Sequence, residues 1–219
     1  PASHFLEANL EHSKNKKGEA HKVKRWWKPN VPRKLNVDLK KNISELSENY
    51  INLIFDSIKK RIKKHSDPCF TLSGGMDSST ILSSSVKLLG KKLPAITTIY
   101  DDKTYDESFD IKPMLKKNVY RWHKIKIGSK NIDLKIIEAS QAHDEPIPTA
   151  TWLSDFFLKK RVGQLGYKVC FSGLGGDQLN AGEHDYFHYF FADLKKNNKK
   201  LLNSEIVKWK KFHDHPIYK

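Results

Sequence analysis

Residues 70–79 have the sequence FTLSGGMDSS, in which an apolar run leads into two glycines and then into a serine-rich segment. This pattern predicts a buried strand, a turn and the first residues of a helix. Glycines let backbone N–H groups approach an anion closely, and the helix adds the positive end of its dipole. The GxxxxGK[ST] pattern of a Walker-type loop does not occur in the chain. The stretch therefore predicts a phosphate-binding loop of another type, with hydroxyl donors from Ser73, Ser78 and Ser79.

Short apolar runs alternate with helical patterns from this loop onward. The expected strands are 69–72, 94–100, 122–127 and 167–172, and the expected helices are 78–89, 131–142 and 149–165. Alternation at this spacing is typical of a parallel sheet with helices on both of its faces. Pro113 leaves residues 107–118 without an assignment. The predicted fold class is therefore α/β, with a parallel, twisted sheet.

Regular structure is also predicted on either side of this region. Apolar residues from Leu39 onward recur at steps of three and four, which predicts a helix of about 24 residues. Before it, residues 1–35 combine an apolar start with a polar, charged stretch at 11–24. We interpret residues 1–35 as the exit strand of a preceding domain and a linker, and residues 36–219 as the main domain. A further helix is expected over residues 205–212.

The composition is that of a globular protein, with 38% hydrophobic and 30% charged residues. The chain has no run of eighteen apolar residues and no charged-then-apolar leader, which argues against a membrane span and a secretory signal. We therefore expect a cytoplasmic protein without a membrane partner. The two cysteines, Cys69 and Cys170, form no CxxC pair and predict inert core thiols rather than a disulfide scaffold or a zinc site.

The formal net charge of +15 raises the question of a polyanionic partner. Only five of the 40 basic residues are arginine, the residue that binds phosphate in a bidentate manner. The lysines are scattered in clusters such as 14–17, 59–64 and 195–200, which are typical of solvated surfaces. This pattern argues against dedicated nucleic-acid binding.

A second glycine loop has the sequence CFSGLGGD at residues 170–177. It follows a predicted strand as the first loop does, so an aspartate, Asp77 or Asp177, comes soon after the end of each strand. The carboxyl ends of parallel strands form the ligand-binding edge of an open α/β sheet. Mg²⁺ binds proteins through one or two carboxylates together with substrate phosphate oxygens. Asp77 and Asp177 are therefore candidate magnesium ligands.

Two acidic segments lie between these loops, YDES at residues 105–108 and HDEPIP at residues 143–148. Either segment alone could be an ordinary helix cap. Together, SGGMDSS, YDES, DEPIP and SGLGGD resemble the synthetase half of the glutamine-hydrolysing asparagine synthetases, members of the PP-loop ATP pyrophosphatases. The resemblance runs from about residue 26 to residue 193, and residues 1–25 resemble the end of the family's glutaminase domain. It implies an adenine nucleotide alpha hydrolase-like fold, expected here as a truncated copy.

The resemblance implies an asparagine synthase-type ligase of asparagine biosynthesis that forms its amide bond in two steps. A carboxylate attacks the α-phosphorus of ATP to give an acyl-adenylate and pyrophosphate, and an amine, usually glutamine-derived ammonia from the glutaminase domain, then displaces AMP. The implied cofactors are ATP and Mg²⁺, with Asp77 and Asp177 as metal ligands. Leu72 and Ile99 would lie near the adenosine. The implied ATP- and pyrophosphate-binding residues are Leu72, Ser73, Gly74, Gly75, Asp77, Ser78, Ser79, Ile99, Ser172 and Gly173.

Several features depart from the family pattern. Leu174 and Gln178 stand where asparagine synthetases typically have glutamate, which leaves open whether aspartate is the substrate. The family also continues past the end of this chain and carries a nucleophilic cysteine at its mature N-terminus, whereas this chain begins at Pro1. We therefore expect a fragment that is inactive alone, and no catalytic residue is assigned.

Three other functions stay open. The first is a relative such as a lactam or lasso-peptide cyclase, or an amidotransferase that acts on a sugar or peptide carboxylate. The second is a tRNA-modifying PP-loop enzyme, which shares SGGxDS and would suit the positive charge, although the SGLGGD loop argues against it. The third is a nucleotide-binding partner without turnover, which is suggested by Leu174 and by the expectation that the C-terminal half of the family's domain is missing.

Overall fold

The computed structural model describes residues 2–8, 21–28, 30, 39–62 and 67–212. The chain divides into two compact units, Pro1–Ser47 and Glu48–Lys219. The division falls within the first helix, later than the boundary between residues 35 and 36 that the sequence pattern predicts. The assignment of residues 1–35 to a preceding domain stays a prediction.

The first unit contains a two-stranded antiparallel sheet. β1 (His4–Ala8) pairs with β2 (His21–Arg25), and the apolar residues Leu6 and Val23 lie opposite each other. β2 lies almost wholly in the polar stretch that the pattern predicts as linker. Its sequence, HKVKR, has a single apolar residue, so the alternation that indicates a strand is too short to recognise. Within the predicted exit strand and linker, residues 9–20, 29 and 31–35 lie outside the described part of the chain.

From residue 39 onward the chain alternates helices and strands, as the sequence predicts. The elements are α1 (Leu39–Ile62), β3 (Cys69–Thr71), α2 (Met76–Leu89), β4 (Leu93–Ile99), α3 (Lys112–Asn118), β5 (Val119–Lys126), α4 (Ile132–His143), α5 (Ala150–Gln164), β6 (Cys170–Phe171), α6 (Gly176–Asn180), α7 (His184–Asn197) and α8 (Lys199–Phe212). The predicted 24-residue helix is confirmed in α1. Residues 107–118, which the sequence leaves unassigned, contain α3. Pro113 lies in the first turn of this helix, where its missing N–H costs no hydrogen bond.

β3 and β4 lie within one residue of their predicted bounds, and the other two strands differ by more. β5 begins at Val119, earlier than residue 122, because it follows α3 directly and pairs with Leu93 at the start of β4. β6 is shorter than predicted. Gly166 adopts a left-handed conformation at φ 85°, and the Tyr167 N–H donates to the carbonyl of Val162 at 3.2 Å. Residues 166 and 167 therefore end α5 instead of starting a strand.

The four strands of the second unit form a parallel sheet in the order β5-β4-β3-β6. β3 lies inside the sheet, and Phe70 pairs with Ala95 of β4 on one side and with Phe171 of β6 on the other. From β3 the chain adds β4 and β5 on one side and then returns to add β6 on the opposite side. The strand order therefore reverses between β3 and β6, and this switch point is where open α/β sheets bind ligands.

Helices cover both faces of the sheet, which confirms the predicted α/β arrangement. On one face, Phe70 and Ala95 belong to a buried cluster with Leu82 of α2. On the other face, Cys69 and Ile96 pack with Leu158 and Val162 of α5. Successive residues of a strand point to opposite faces, so the neighbours 69 and 70, like 95 and 96, contribute to different clusters.

The two cysteines lie side by side, with Cys69 of β3 opposite Cys170 of β6. Both are free thiols, and Cys69 is fully buried while Cys170 is partly exposed. The hydrogen bond with Cys170, together with burial, raises the pKa of Cys69. A thiol with a raised pKa forms little thiolate, which fits the expected core role of Cys69.

The aromatic stretch that follows the second glycine loop forms α7, which packs against α8. The ring of Phe187 lies edge-on to Trp209 with the centroids 5.8 Å apart, and Trp209 and Leu194 are buried. The helix expected over residues 205–212 is confirmed and begins earlier, at Lys199. None of the helices in the described ranges has the length and apolar character that a membrane span requires.

Candidate nucleotide-binding site

The two glycine loops meet at the switch point of the sheet. The first loop joins β3 to α2, and the second joins β6 to α6. Because β3 and β6 are parallel neighbours, their carboxyl ends lie at the same edge of the sheet. The expectation that both loops share one edge is therefore confirmed.

The first loop is closed by its own serine side chains. The N–H of Ser73 donates to Ser78 Oγ at 3.1 Å, and the two hydroxyl oxygens lie 2.9 Å apart. The N–H of Gly75 donates to Ser73 Oγ at 3.2 Å. Ser79 lies one residue further into α2, and its N–H donates to the carbonyl of Gly75 at 3.4 Å. These bonds fix the turn from strand to helix before any ligand is bound.

The start of the loop is anchored in the sheet through Leu72. Its N–H donates to the carbonyl of Ile96 at 2.9 Å, and its own carbonyl accepts the hydroxyl of Thr97 at 2.8 Å. Thr97 Oγ1 in turn accepts the indole N–H of Trp122 at 3.1 Å. A hydrogen-bonded chain across β3, β4 and β5 thus holds the backbone at the position where the loop begins.

One backbone group of the first loop is bound to a carboxylate. The N–H of Gly74 donates to Glu107 Oε2 at 2.8 Å. Glu107 belongs to YDES, the acidic segment that follows β4. A Cβ atom on Gly74 would lie 3.4 Å from Glu107 Cβ and 3.2 Å from Asp110 Cβ, so the turn at residues 107–110 packs closely over this glycine. This N–H of the loop is therefore bonded to a carboxylate of the protein itself.

The second loop packs against the start of α2 through glycine backbone. A Cβ atom on Gly173 would lie 2.5 Å from the backbone nitrogen of Ser78, closer than real Cβ atoms come. A Cβ atom on Gly176 would collide with the carboxylate of Asp77. At Gly173 the close contact is with backbone, so this position needs glycine, whereas at Gly176 it is with the end of the Asp77 side chain, which an added Cβ atom would displace. Ser172 stabilises the turn between them, since its Oγ accepts the N–H of Leu174 at 3.1 Å.

The two candidate metal ligands have different neighbours. Asp77 lies in the first turn of α2, and the side-chain amide of Asn180 approaches its Oδ1 at 3.5 Å. The carboxylate of Asp177 lies against Gly182. The described contacts thus place only the Asp77 carboxylate between the loops, and within the described ranges no group of three or more metal-ligating side chains is found. The role of both residues as metal ligands stays a prediction.

A cavity of about 590 Å³ opens beside the first loop, between the end of β4 and the start of α5. This volume is typical of small-molecule sites. Of the predicted residues, Leu72 and Ser73 line it, whereas Ile99 does not. Its described lining residues are Thr71, Leu72, Ser73, Ile96, Thr97, Thr98, Tyr100, Tyr105, Glu107, Ala150, Thr151, Ser154 and Leu158.

A second cavity, of about 350 Å³, opens beside Asp77 and the second loop. Ser172 and Gly173 of the second loop line it, together with Asp77 and side chains of α1. Leu174 also lines it, yet 84% of this leucine is exposed. Of the predicted residues, Leu72 and Ser73 thus line the larger cavity, and Asp77, Ser172 and Gly173 line the smaller one. The others are not among the lining residues of either cavity: Gly74, Gly75, Ser78, Ser79, Ile99 and Asp177.

Several residues that line the larger cavity belong to no motif in the sequence. Tyr100 donates its hydroxyl to Ser154 Oγ at 2.9 Å and so joins the end of β4 to α5 across the larger cavity. No motif marks either residue. Glu107 lies in a segment whose composition suggests a site, but its partner, the Gly74 N–H, is 33 residues away in sequence. The HDEPIP segment instead bonds its own helix, since the Ile147 N–H donates to Ser140 Oγ at 3.2 Å.

A parallel α/β sheet with a glycine- and serine-rich loop at its switch point defines a PP-loop type of nucleotide-binding domain. The asparagine synthase family model matches residues 50–216, and the chain belongs to this family of ATP-dependent ligases that form C–N bonds. A search of curated proteins found no match.

One solved structure similar to the chain is the NH3-dependent NAD synthetase from Campylobacter jejuni subsp. jejuni NCTC 11168 in complex with the nitrate ion, at 16% identity and a TM-score of 0.37. The similarity covers 54% of this chain and 49% of that chain.

Proposed function

We propose that this chain binds ATP with Mg²⁺ at the switch point and is the adenylating part of a ligase that converts a carboxylate into an amide. The observation that carries the proposal is the first loop itself. Its Gly74 N–H already binds a carboxylate oxygen at 2.8 Å, and the start of α2 adds the positive end of a 14-residue helix. Polyphosphate is the ligand that such a loop suits best.

The cavity of about 590 Å³ next to Ser73 gives the rest of the nucleotide a place to bind. Apolar side chains such as Leu72 and Leu158 suit an adenine ring, while hydroxyl groups such as that of Ser154 suit a ribose. In this arrangement the β- and γ-phosphates lie on the loop and leave together as pyrophosphate. We retain Ile99 as a predicted neighbour of the adenosine, although it is not among the residues that line the cavity.

The side chains present fit a magnesium–nucleotide complex. Carboxylate oxygens are the ligands that Mg²⁺ takes from proteins, and it needs only one or two of them when phosphate oxygens supply others. Asp77 meets this need, because its carboxylate lies at the start of α2 beside the second loop. Asp177 is the proposed second ligand and would have to turn away from Gly182. The ion would neutralise the charge that develops on the leaving pyrophosphate.

The products of the reaction test the proposal directly. Full-length protein supplied with ATP, Mg²⁺ and a carboxylate substrate should release AMP and pyrophosphate, because the attack is at the α-phosphorus. ADP as the sole nucleotide product would contradict adenylation. A matched variant is Ser73→Ala, which removes the hydroxyl that holds Gly75 and should slow release of both products together.

We further propose that residues 1–35 are the end of a glutaminase domain that supplies ammonia, and that the whole enzyme is an amidotransferase of the cytoplasm. Support comes from the resemblance of residues 1–25 to that domain and from membership in the asparagine synthase family. A longer reading frame with a cysteine at its mature N-terminus would support it, and glutamine-dependent turnover would test it. Aspartate is the first carboxylate to assay.

One observation favours a different carboxylate. Leu174 stands where the family typically has glutamate, and its isobutyl group is 84% exposed at the smaller cavity. A leucine can neither accept a proton nor attract an ammonium ion, so this position suits a larger or less polar acyl group than aspartate. A pyrophosphate-release assay over a panel of carboxylates decides between them. Robust turnover on aspartate with glutamine would rule out the alternative.

A further inference from the structure

Glu107 is a carboxylate at the position where the phosphate-binding loop should hold phosphate. Its Oε2 accepts the N–H of Gly74 at 2.8 Å, and its side chain lines the larger cavity beside Ser73. Neither the loop motif nor the family match assigns a role to this residue. Two anions cannot share one N–H donor, so the carboxylate and a phosphate oxygen compete for it.

The position of Glu107 follows from the structure of the YDES segment. Asp106 accepts both the N–H and the hydroxyl of Ser108, at 3.3 and 2.8 Å, so the Asp106 side chain is used in shaping the turn. The N–H of Asp110 donates to the carbonyl of Glu107 at 3.0 Å and closes the same turn. Because the turn also packs over Gly74, the carboxylate of Glu107 is directed at the loop.

We propose that Glu107 determines which form of ATP the loop accepts, by excluding metal-free ATP and admitting ATP that carries Mg²⁺. The inference rests on the proposed function, since it requires the loop to be the phosphate site. A bare triphosphate brings negative charge next to the carboxylate and must displace it from Gly74. A triphosphate with Mg²⁺ brings a cation to which a carboxylate oxygen can bind.

The expected size of the effect follows from Coulomb's law. Two unit charges about 4 Å apart in water repel each other enough to weaken binding by about fivefold, and more where water is partly excluded. Glu107→Gln keeps the shape of the side chain and removes the charge. It should therefore strengthen the binding of metal-free ATP by about fivefold or more, and it should not strengthen binding of the magnesium complex.

The test is calorimetric titration of ATP into the whole chain, once with excess EDTA and once with excess Mg²⁺. The variants are the wild type, Glu107→Gln and Glu205→Gln. The last is a charge-matched control, because Glu205 pairs with Lys208 on α8. Melting temperatures of all three proteins show whether the fold is intact.

Tighter binding of ATP in EDTA by Glu107→Gln alone supports the inference. Unchanged or weaker binding in EDTA overturns it, even if wild-type protein binds ATP with Mg²⁺. A wild type and a Glu107→Gln variant that bind no ATP under either condition would contradict both this inference and the proposed function. The two failures are therefore distinguishable.

Discussion

The contact between the two glycine loops should make Gly173→Ala a destabilising change. A Cβ atom at residue 173 would lie 2.5 Å from the backbone nitrogen of Ser78 and 3.0 Å from Cβ of Asp77. Both atoms belong to the first turn of α2 and cannot rotate away, so the backbone has to shift. Overpacking of this kind lowers the free energy of unfolding by about 1–3 kcal/mol. For a chain of this size, that corresponds to a fall in melting temperature of roughly 2–12 °C.

The assay is thermal unfolding of the wild type, Gly173→Ala and a control glycine variant. Gly163→Ala is the matched control, because Gly163 lies in α5 and an added Cβ atom would meet nothing within 4 Å. Alanine in a helix interior is favoured over glycine by about 0.5–1 kcal/mol, so the control should melt at the same temperature or higher. A Gly173→Ala protein as stable as the wild type would refute the close packing of the two loops.

Three further predictions concern other contacts. Gly176→Ala should destabilise the wild type, because its Cβ atom collides with the carboxylate of Asp77. The same change should destabilise the Asp77→Ala protein much less. Equal losses of stability in this double-mutant cycle would contradict the contact. Burial and the charges of Arg121 and Arg161 lower the pKa of His123 from its ordinary 6.5. The folded protein therefore favours the neutral histidine, and the free energy of unfolding is higher above pH 6.5 and falls as the pH falls below it. Between pH 7.5 and pH 5, the urea midpoint of His123→Gln should then fall less than that of the wild type. An equal fall would show that His123 does not cause the pH dependence. Iodoacetamide should label the partly exposed Cys170 before the fully buried Cys69 in the folded protein; equal rates would contradict the burial of Cys69.

Much of the fold follows from local pattern. The apolar period of α1 and the β-branched residues of β4 are strong signals, because each continues over many residues. The ends of helices and strands are harder to predict, because they depend on which backbone N–H and C=O groups form hydrogen bonds. β6 shows this, because the closure of α5 by Gly166 and Tyr167 removes residues that by composition would extend the strand.

The candidate site is predictable only in part. Each glycine loop can be recognised from the sequence, because a tight turn requires particular residues at neighbouring positions. The contact between Gly74 and Glu107 cannot be recognised in this way, because it joins segments that are distant in the chain. It forms only because β4 pairs with β3. The same limit applies to Tyr100 and Ser154, whose hydrogen bond across the cavity exists only once α5 has packed on the sheet.

Binding of ATP with Mg²⁺ at the first loop is the central claim, and calorimetry on wild-type protein and Asp77→Ala measures it most directly. A carboxylate about 4 Å from a positive charge contributes about 1 kcal/mol in water and about 4 kcal/mol near a protein surface, so its removal should cost roughly fivefold to several-hundred-fold in affinity. Asp133→Ala is the control, since Asp133 also lies in the first turn of a helix but in α4. We expect the wild type and the control to bind ATP with Mg²⁺ and Asp77→Ala to lose most of its affinity. Equal affinity in all three proteins would contradict it.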